Sequence, residues 1–351
     1  MIDRAPWQGH RVEGWSYDVL DLNDRVVGVL ADVDEDSPGS ISRSVYTSPR
    51  DTATLTLTRR APWDWTQHRV RITHVLHTAA GEVRHPVLTG TVSAPVEDHT
   101  DEAVQIALEL SDKTGLLAGD QPSGSYGLAA GTSVSGAVRA LIASTGDTGT
   151  LIGGSVEALA LPMMWDAGTT KLRIANDLLD AGGFYALYCD GRGSFRADTY
   201  VPPDQRGTAW VFDRGYLPTW QRDADVYAVP NRVTVVGRSD DPEAPAPVAV
   251  AEDYNSDYGF NRRRRWVSVT ETGIEATSLA QLQAICDRKL VTAQQVTETI
   301  TITHPWLPID LNEVVEVQHP RLPSPARCVV WKQSINLSLG GLTTSTMRRV
   351  R

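Results

Sequence analysis

Three histidines fall on one predicted β-hairpin, where residue type alone would let them bind a metal ion. His74 and His77 lie in a strand pattern, and His85 follows the predicted turn at 79–81. Zinc sites use histidine and cysteine in tetrahedral sets, but the cysteines here are far apart and no His-Glu-x-x-His motif is present. We therefore expect these histidines on the solvent face of the hairpin and predict no metal.

Ser133 lies in a segment that superficially resembles the nucleophile elbow of serine hydrolases. That motif needs a glycine two residues after the serine, and Ser135 occupies this position. An amphipathic pattern that includes Val138 and Leu141 follows the segment. We therefore predict that Ser133 or Thr132 caps a helix and that neither is a nucleophile.

Clustered carboxylates could support acid–base chemistry such as glycoside hydrolysis, which uses a pair of acids. In this chain the clusters lie in polar loops, where carboxylates are solvated. We therefore predict no catalytic residue, no cofactor and no enzyme activity. The clusters are Asp32, Asp34, Glu35 and Asp36; Asp223 and Asp225; and Asp240, Asp241 and Glu243.

One local basic cluster stands out, formed by Arg262, Arg263, Arg264 and Arg265 and followed by Trp266. Arginines beside an aromatic residue could contact nucleic acid. They could also pair with acidic residues of a neighbouring subunit, because a guanidinium binds carboxylates in a bidentate way. Since the chain is acidic overall, we favour the second interpretation and predict a subunit interface at these five residues.

Composition limits the classes of function. The 351 residues include 33 basic and 43 acidic ones, for a net charge of −10. Such a chain is a poor general DNA binder, since that affinity depends on cations at phosphates, but it suits a conduit through which DNA slides. No apolar run of about 18 residues and no secretory leader is visible, so we expect no membrane span and synthesis in a cytoplasm. Three separated cysteines predict reduced, buried thiols.

Strand patterns dominate both ends of the chain. Residues 14–116 read as a β-barrel or sandwich, residues 117–131 as a small-residue linker, and residues 298–350 as further strands. The middle contains two predicted helices. The second, 169–181, has Thr169 or Thr170 as its cap and ends at Gly182-Gly183.

A tight hairpin is predicted after this helix. Large residues alternate on both sides of Asp190-Gly191, a pair that favours a turn with positive φ at its centre. The turn continues to Gly193, but it lacks the spaced oxygen ligands of a calcium loop. Gly191 and Gly193 open a strand, which argues against a dinucleotide-binding fingerprint.

An internal repeat is suggested by pattern and not by identity. Residues 64–110 run as strand, hairpin turn, strand, polar turn and long strand, and residues 310–350 follow a similar order.

The order of these pieces resembles the tail hub family of phages. That family includes the baseplate hub of contractile phages, the N-terminal hub region of siphophage tail-associated proteins and the base of type VI secretion spikes. The resemblance is clearest within 163–237, in GTTKLRIANDLLDAGGFYALYCDGRGSFRADTY and YAVPNRVTVVG. It is less clear over 310–350 and weak over 40–120.

The resemblance implies a mainly β fold with α+β insertions. Two tail-tube-like β-barrels and smaller α+β domains would assemble as a ring, and the strand 231–236 would join the second barrel. The implied boundaries are an N-terminal arm 1–13, a first barrel 14–116, a linker and small α+β domain 117–226, and a second barrel 227–351 with an inserted loop and helix region 240–295.

The function that the resemblance implies is structural. A homotrimer would present a pseudo-six-fold ring that joins the tail tube or distal tail protein to the tip. Tape-measure protein and then DNA would pass through it during host cell entry, and tip, fibre or spike proteins would attach to it. Its place would be the tail tip of the virion, and the family offers no catalytic motif to transfer.

Two other functions stay open. A carbohydrate-binding or receptor-binding tail protein would need exposed, coplanar tryptophan rings, and a cell-wall glycan hydrolase would need acids that converge in a cleft. The chain has ten tryptophans against four phenylalanines. Packing at domain or subunit contacts is the simpler use of these rings.

Overall fold

The protein is mainly β, with 45% of residues in strands and 16% in helices in a computed structural model. This confirms the predicted class, strands with smaller α+β parts. The structure describes residues 12–79, 81–99, 104–147, 149, 151–153, 158–213, 219–223, 227–237, 245–274, 279–294, 298–319 and 325–350. Most of the predicted N-terminal arm lies outside these ranges, as do Asp225, Asp240, Asp241 and Glu243.

The strands are numbered in chain order. The first seven are β1 (Val12–Leu20), β2 (Val26–Val29), β3 (Gly39–Ser44), β4 (Asp51–Leu57), β5 (Arg69–Thr78), β6 (Gly81–His99) and β7 (Val104–Asp112). Next come β8 (Tyr126–Leu128), β9 (Leu151–Gly153), β10 (Met163–Trp165), β11 (Tyr188–Cys189), β12 (Phe195–Ala197), β13 (Thr208–Phe212) and β14 (Thr219–Asp223). The last seven are β15 (Arg232–Gly237), β16 (Val248–Glu252), β17 (Ser268–Ile274), β18 (Thr299–Pro305), β19 (Val314–Val317), β20 (Ala326–Asn336) and β21 (Leu342–Arg349).

In the described part of the chain there are five α-helices: α1 (Thr114–Ala118), α2 (Val134–Ala143), α3 (Lys171–Ala181), α4 (Phe260–Arg263) and α5 (Leu279–Ala293). Among the described residues, none of these helices is long and apolar enough to span a membrane.

The chain forms two compact units. The first comprises Met1–Trp220 and Thr301–Arg351, and the second comprises Gln221–Ile300. The first unit is built on one large sheet with strand order β18-β21-β20-β3-β4-β7-β6-β5-β1-β2, and β19 also pairs with β20.

The two predicted barrel segments share this sheet. Strand β20 pairs with β19 over Ala326–Val329 and with β3 over Lys332–Asn336, so one strand joins the two ends of the chain. No closed barrel is present among the described residues. The predicted repeat segments both form antiparallel meanders, β5-β6-β7 and β19-β20-β21.

Period-two alternation places the core of the sheet. In β4, Ala53, Leu55 and Leu57 are buried while Thr52 and Thr54 are exposed. Successive side chains of a strand point to opposite faces, so this alternation gives the sheet one apolar and one polar side, as the sequence predicts.

A small α+β part of the first unit contains α1, α2 and α3. The Ser133 hydroxyl accepts a hydrogen bond from the Gly136 N–H at 3.2 Å, and Thr170 caps α3 through the Arg173 N–H at 3.3 Å. Gly183 ends α3 with φ of 74°. These caps confirm the helix boundaries predicted from sequence. The buried faces of the helices pack with strand residues around Leu178 and Phe195.

The hairpin after α3 differs from its predicted turn. Positive φ occurs at Gly193 (84°) and not at Asp190-Gly191. The Asp190 carboxylate accepts hydrogen bonds from the N–H groups of Arg192 and Ser194, both at 3.0 Å, so the loop spans residues 190–194. The predicted position of the positive φ was therefore wrong, because the aspartate side chain stabilises a loop that turns at Gly193.

The second unit is a three-stranded sheet, β16-β15-β17, covered by α5. Strand β15 pairs antiparallel with β16 and parallel with β17. The prediction that strand 231–236 joins the second barrel is therefore wrong. Its buried Val233 and Val235 pack on α5, where Leu282 and Cys286 are buried. Leu279, at the start of α5, is exposed.

Candidate functional site

The most unusual feature of the first unit is a buried set of charged side chains at the end of β7. Asp112 is 2% exposed and Lys113, which follows it, is fully buried. Burying an unpaired charge costs several kcal/mol, so both side chains need partners. Asp112 and Lys113 have their partners in two different networks, and we call these two networks together the charged junction.

Lys113 belongs to the first network. Its Nζ lies 2.8 Å from Asp24 Oδ2 and 3.0 Å from Asp147 Oδ1. Arg69 approaches the same two carboxylates at 2.8 and 2.7 Å. Two cations and two anions thus neutralise each other. Since Asp147 follows α2 while Asp24 and Arg69 belong to the sheet, the network fastens the α+β part onto β5 and the β1–β2 turn.

The second network centres on Asp310. Arg43 donates to its carboxylate at 2.6 Å and Arg50 donates at 2.8 Å. Burial alone would raise the pKa of Asp310, but the two guanidinium groups lower it to about 2. Arg43 also donates to Asp51 at 3.1 Å and to Gln333 at 3.1 Å. The network therefore joins β3 and β4 to the C-terminal strands.

Asp112 lies beside this second network, and its carboxyl group has an unusual pKa. Burial, together with the nearby Asp51 carboxylate, raises its pKa to about 6. It accepts hydrogen bonds from the N–H groups of Asp51 at 2.9 Å and Thr114 at 2.8 Å. Below Arg50, the Tyr188 ring lies 4.0 Å from the guanidinium carbon, so β11 of the small α+β part also touches this network.

A chain of polar side chains extends the second network across the strands. Gln333 Nε2 donates to Ser345 Oγ at 3.3 Å, and Ser345 Oγ lies 2.8 Å from His304 Nε2. A serine beside a histidine is the start of a nucleophilic dyad. Here both are buried, with exposures of 1% or less, so no substrate could reach them. The pair is a structural hydrogen bond.

The loop at 190–194 docks on the large sheet. Thr89 Oγ1 donates to the Gly191 carbonyl at 2.8 Å, and Arg71 donates to the Arg192 carbonyl at 3.1 Å. A Cβ atom on Gly191 would lie 2.0 Å from the Pro86 carbonyl oxygen, so only glycine allows this approach. The glycine-rich hairpin therefore joins the α+β part to β5 and β6.

The predicted histidine positions are partly wrong. His74 is buried, its ring stacked on Trp306 at 4.3 Å, and its Nε2 lies 3.2 Å from Glu13 Oε2. His85 lies 5.2 Å from Trp306, and burial lowers its pKa. His77 is exposed, as predicted. Trp306 covers this face of the hairpin, which local alternation could not reveal. No group of metal-binding residues was found among the described residues.

The predicted interface residues all lie in the second unit, on and after α4. Arg262 pairs with Asp257, and Arg263 donates to the Val229 carbonyl at 2.6 Å. The Arg265 guanidinium lies 3.4 Å from the Tyr227 ring centre. Trp266 stacks on Phe260 at 4.6 Å with Arg232 at 4.0 Å from its ring, and Arg264 is exposed. These contacts give most of the run a local structural role, and its part in a subunit interface stays a prediction.

The charged junction was missed from sequence, although a signal exists. The signal is the set of charged residues at or near strand ends: Asp112 ends β7 and is followed by Lys113, Arg43 is the penultimate residue of β3, and Arg50 precedes β4. The three cysteines are free and buried, as predicted, and burial raises the pKa of Cys189.

Comparison with known proteins relates this architecture to solved structures. No family model matches the chain, and no curated protein matches it significantly. A tail protein from Neisseria meningitidis MC58 is 15% identical, with a TM-score of 0.63 over 95% of this chain and 96% of that one. The 43 kDa tail protein of prophage MuSo2 from Shewanella oneidensis is 14% identical, with a TM-score of 0.61 over 97% and 98%. The fold is that of phage tail proteins.

A further similar structure comes from a Francisella PdpA-VgrG complex. It is 8% identical, with a TM-score of 0.57, and the alignment covers 98% of this chain and 60% of that one. At these identities the likeness concerns the fold alone.

Proposed function

We propose that the chain is a structural hub protein of a phage tail tip, or baseplate. Three copies would form a ring with pseudo-six-fold character that joins the tail tube or distal tail protein to the tip. The fold shared with phage tail proteins over nearly the full chain supports this proposal. We also propose a non-enzymatic role, because the buried acidic groups of the charged junction and the Ser345–His304 pair are engaged in structural contacts.

One observation carries the ring proposal. The chain holds two antiparallel meanders, β5-β6-β7 and β19-β20-β21, joined through the β3–β20 ladder in a single sheet. Two comparable strand groups per copy would give six positions in a trimer. A hexameric tube could then meet a three-fold tip through one protein.

The outer strand β2 supports assembly through strand edges. Among the described residues it pairs with β1 alone, and Val26, Val27 and Val29 are 57%, 48% and 60% exposed. An apolar edge strand with unpaired backbone groups invites pairing with another chain unless assembly covers it.

The proposed setting follows from the hub role. The ring would reside at the tail tip of the virion and contact the tape-measure protein and the tip, fibre or spike proteins. DNA would pass through it only in transit, which suits a net charge of −10.

The carbohydrate-binding alternative has less support. The eight tryptophan side chains whose burial the structure describes are all buried or half-buried, including Trp15, Trp65 and Trp331. A stacking platform for sugars needs exposed ring faces, so packing is the role that these positions favour.

Native mass spectrometry tests the ring. The purified chain, alone or mixed with the distal tail or tail tube protein, should give an assembly with three copies of the 38.3 kDa chain. Val27→Lys should abolish it, because a charge on the edge strand opposes pairing. Val291→Lys changes a similarly exposed valine on α5 (62% exposed) and should leave the trimer intact. A wild-type chain that stays monomeric in both samples argues against the ring.

A further inference from the structure

A groove in the first unit has a shape and lining that the hub role does not explain. It encloses about 510 Å³ between the loop at 33–38 and the turn that follows β20. Trp15 and Tyr17 of β1 and Leu339 of that turn line it together with the loop. This cavity is large enough for one or two side chains and is open to solvent.

The loop side of the groove is acidic. Asp34 fixes the loop, since its carboxylate accepts hydrogen bonds from the N–H groups of Asp36 at 2.9 Å and Ser37 at 3.1 Å. Glu35 and Asp36 are exposed, and neither forms an ion pair with another described residue. Asp32, by contrast, pairs with Arg59. Two carboxylates therefore face the groove without a cation.

The lining contributed by the segment after β20 is apolar. Leu339 is 80% exposed, whereas Leu337, two residues earlier, is buried. An exposed aliphatic side chain and aromatic rings that line one groove form the kind of surface on which the stem of an arginine or lysine packs while its charged end stays in polar surroundings.

We propose that this groove binds a cationic polypeptide segment of another protein. An arginine or lysine of that segment pairs with Glu35 and Asp36. Its aliphatic stem and a neighbouring apolar side chain pack against Leu339 and the Trp15 ring. The acidic side and the apolar side together select a segment in which basic and aliphatic residues alternate.

Charge favours a different protein over a second copy as the partner. This chain is acidic, and in its one arginine cluster Arg262, Arg263 and Arg265 already contact Asp257, Val229 and Tyr227. The proposal goes beyond the hub role and does not depend on ring formation.

Fluorescence anisotropy tests the groove directly. The probe is a fluorescein-labelled peptide, Gly-Ser-Leu-Arg-Leu-Lys-Ser-Gly, titrated with the full-length protein. The variant Glu35→Gln with Asp36→Asn should weaken binding about five- to tenfold, the effect of two lost surface ion pairs. Leu339→Ser should also weaken it. The matched control, Asp180→Asn with Asp204→Asn, removes two exposed acids elsewhere and should change the Kd by about twofold or less.

Several results overturn the proposal. One is an unchanged peptide affinity in the Glu35→Gln, Asp36→Asn variant. Another is an equal loss of affinity in the Asp180→Asn, Asp204→Asn control. A third is equal binding of a peptide that has glutamine in place of arginine and lysine. If removal of residues 1–11 strengthens peptide binding tenfold, the chain's own N-terminal segment is the occupant. If sedimentation shows self-association that depends on Glu35 and Asp36, the occupant is a second copy.

Discussion

At the scale of single residues, Asp112 and Lys113 show how neighbours in sequence can serve different networks. Asp112 is the last residue of β7 and Lys113 is the N-cap of α1, so the chain turns between them. Asp112 therefore reaches Asp51 and Thr114, while Lys113 reaches Asp24 and Asp147. Two adjacent residues thereby connect the large sheet to the α+β part and to the C-terminal strands, and neither offers a group that substrate could reach.

Replacing Lys113 should expose the cost of the buried charges. Lys113→Met leaves Asp24 and Asp147 with Arg69 as their shared cation, so the free energy of unfolding should fall by about 3–5 kcal/mol in urea titrations. Arg173→Met is the control, because its partner Asp177 forms a surface pair and Arg173 is 72% exposed. It should cost about 0.5 kcal/mol. Equal losses in the two variants would contradict a buried network.

Asp112 should make stability depend on pH. Its folded pKa of about 6 lies above the ordinary 3.8, so the wild type carries a cost above pH 6 that disappears as pH falls through 6 towards 3.8. A shift of about two pKa units corresponds to about 3 kcal/mol. Relative to Asp112→Asn, the wild type should therefore gain up to about 3 kcal/mol between pH 7 and pH 4.

The quantity to measure is the difference in the free energy of unfolding between the wild type and Asp112→Asn. His85 opposes the effect, since its lowered pKa makes acid destabilising, but it is present in both proteins and cancels. Urea unfolding at each pH gives the difference. A difference that stays constant from pH 7 to pH 4 would show that Asp112 has an ordinary pKa.

At the scale of elements, long strands and a docked hairpin hold the first unit together. Strand β20 offers one edge to both β19 and β3, and the 190–194 loop lies on β5 and β6. The β20 contacts are backbone hydrogen bonds between strands. The loop contact depends on Gly191, which lets the two backbones come close together. Both are long-range contacts that fix how separate parts of the chain assemble.

The hairpin contact can be tested with a matched pair of glycines. Gly191→Ala places a Cβ 2.0 Å from the Pro86 carbonyl oxygen, so the hairpin must shift and stability should fall by about 1–3 kcal/mol. Gly207→Ala meets no atom within 4 Å and should be neutral or slightly stabilising. Thermal or urea unfolding measures both. An unaffected Gly191→Ala protein would mean that the hairpin does not dock there.

Features that depend on neighbouring residues could be predicted from the sequence. The caps at Ser133 and Thr170, the end of α3 at Gly183 and the alternation in β4 all follow from neighbouring residues. Contacts between residues far apart in the sequence could not be predicted. Trp306 lies more than two hundred residues after His74 yet buries it, and Asp310 meets Arg43 from the other end of the chain. Strand β15 pairs with β16 and β17, which its own residue pattern could not predict.

At the scale of the whole molecule, the large sheet gives the buried charges of the junction a structural use. Burying paired charges is often neutral for stability, but it can specify one arrangement among several. In the first unit the charged junction fixes how the α+β part and both strand groups meet. A ring component must present the same edges in every copy, and a unique arrangement within each copy provides that.

Cryo-electron microscopy of assembled particles is the most direct test of the proposed trimeric hub ring at the tail tip. We expect three copies around the tail axis, with the two strand groups of each copy in equivalent positions around the lumen and β2 paired to a neighbouring copy. A particle in which the chain is present as a single copy, or outside the axis with β2 unpaired, would contradict it.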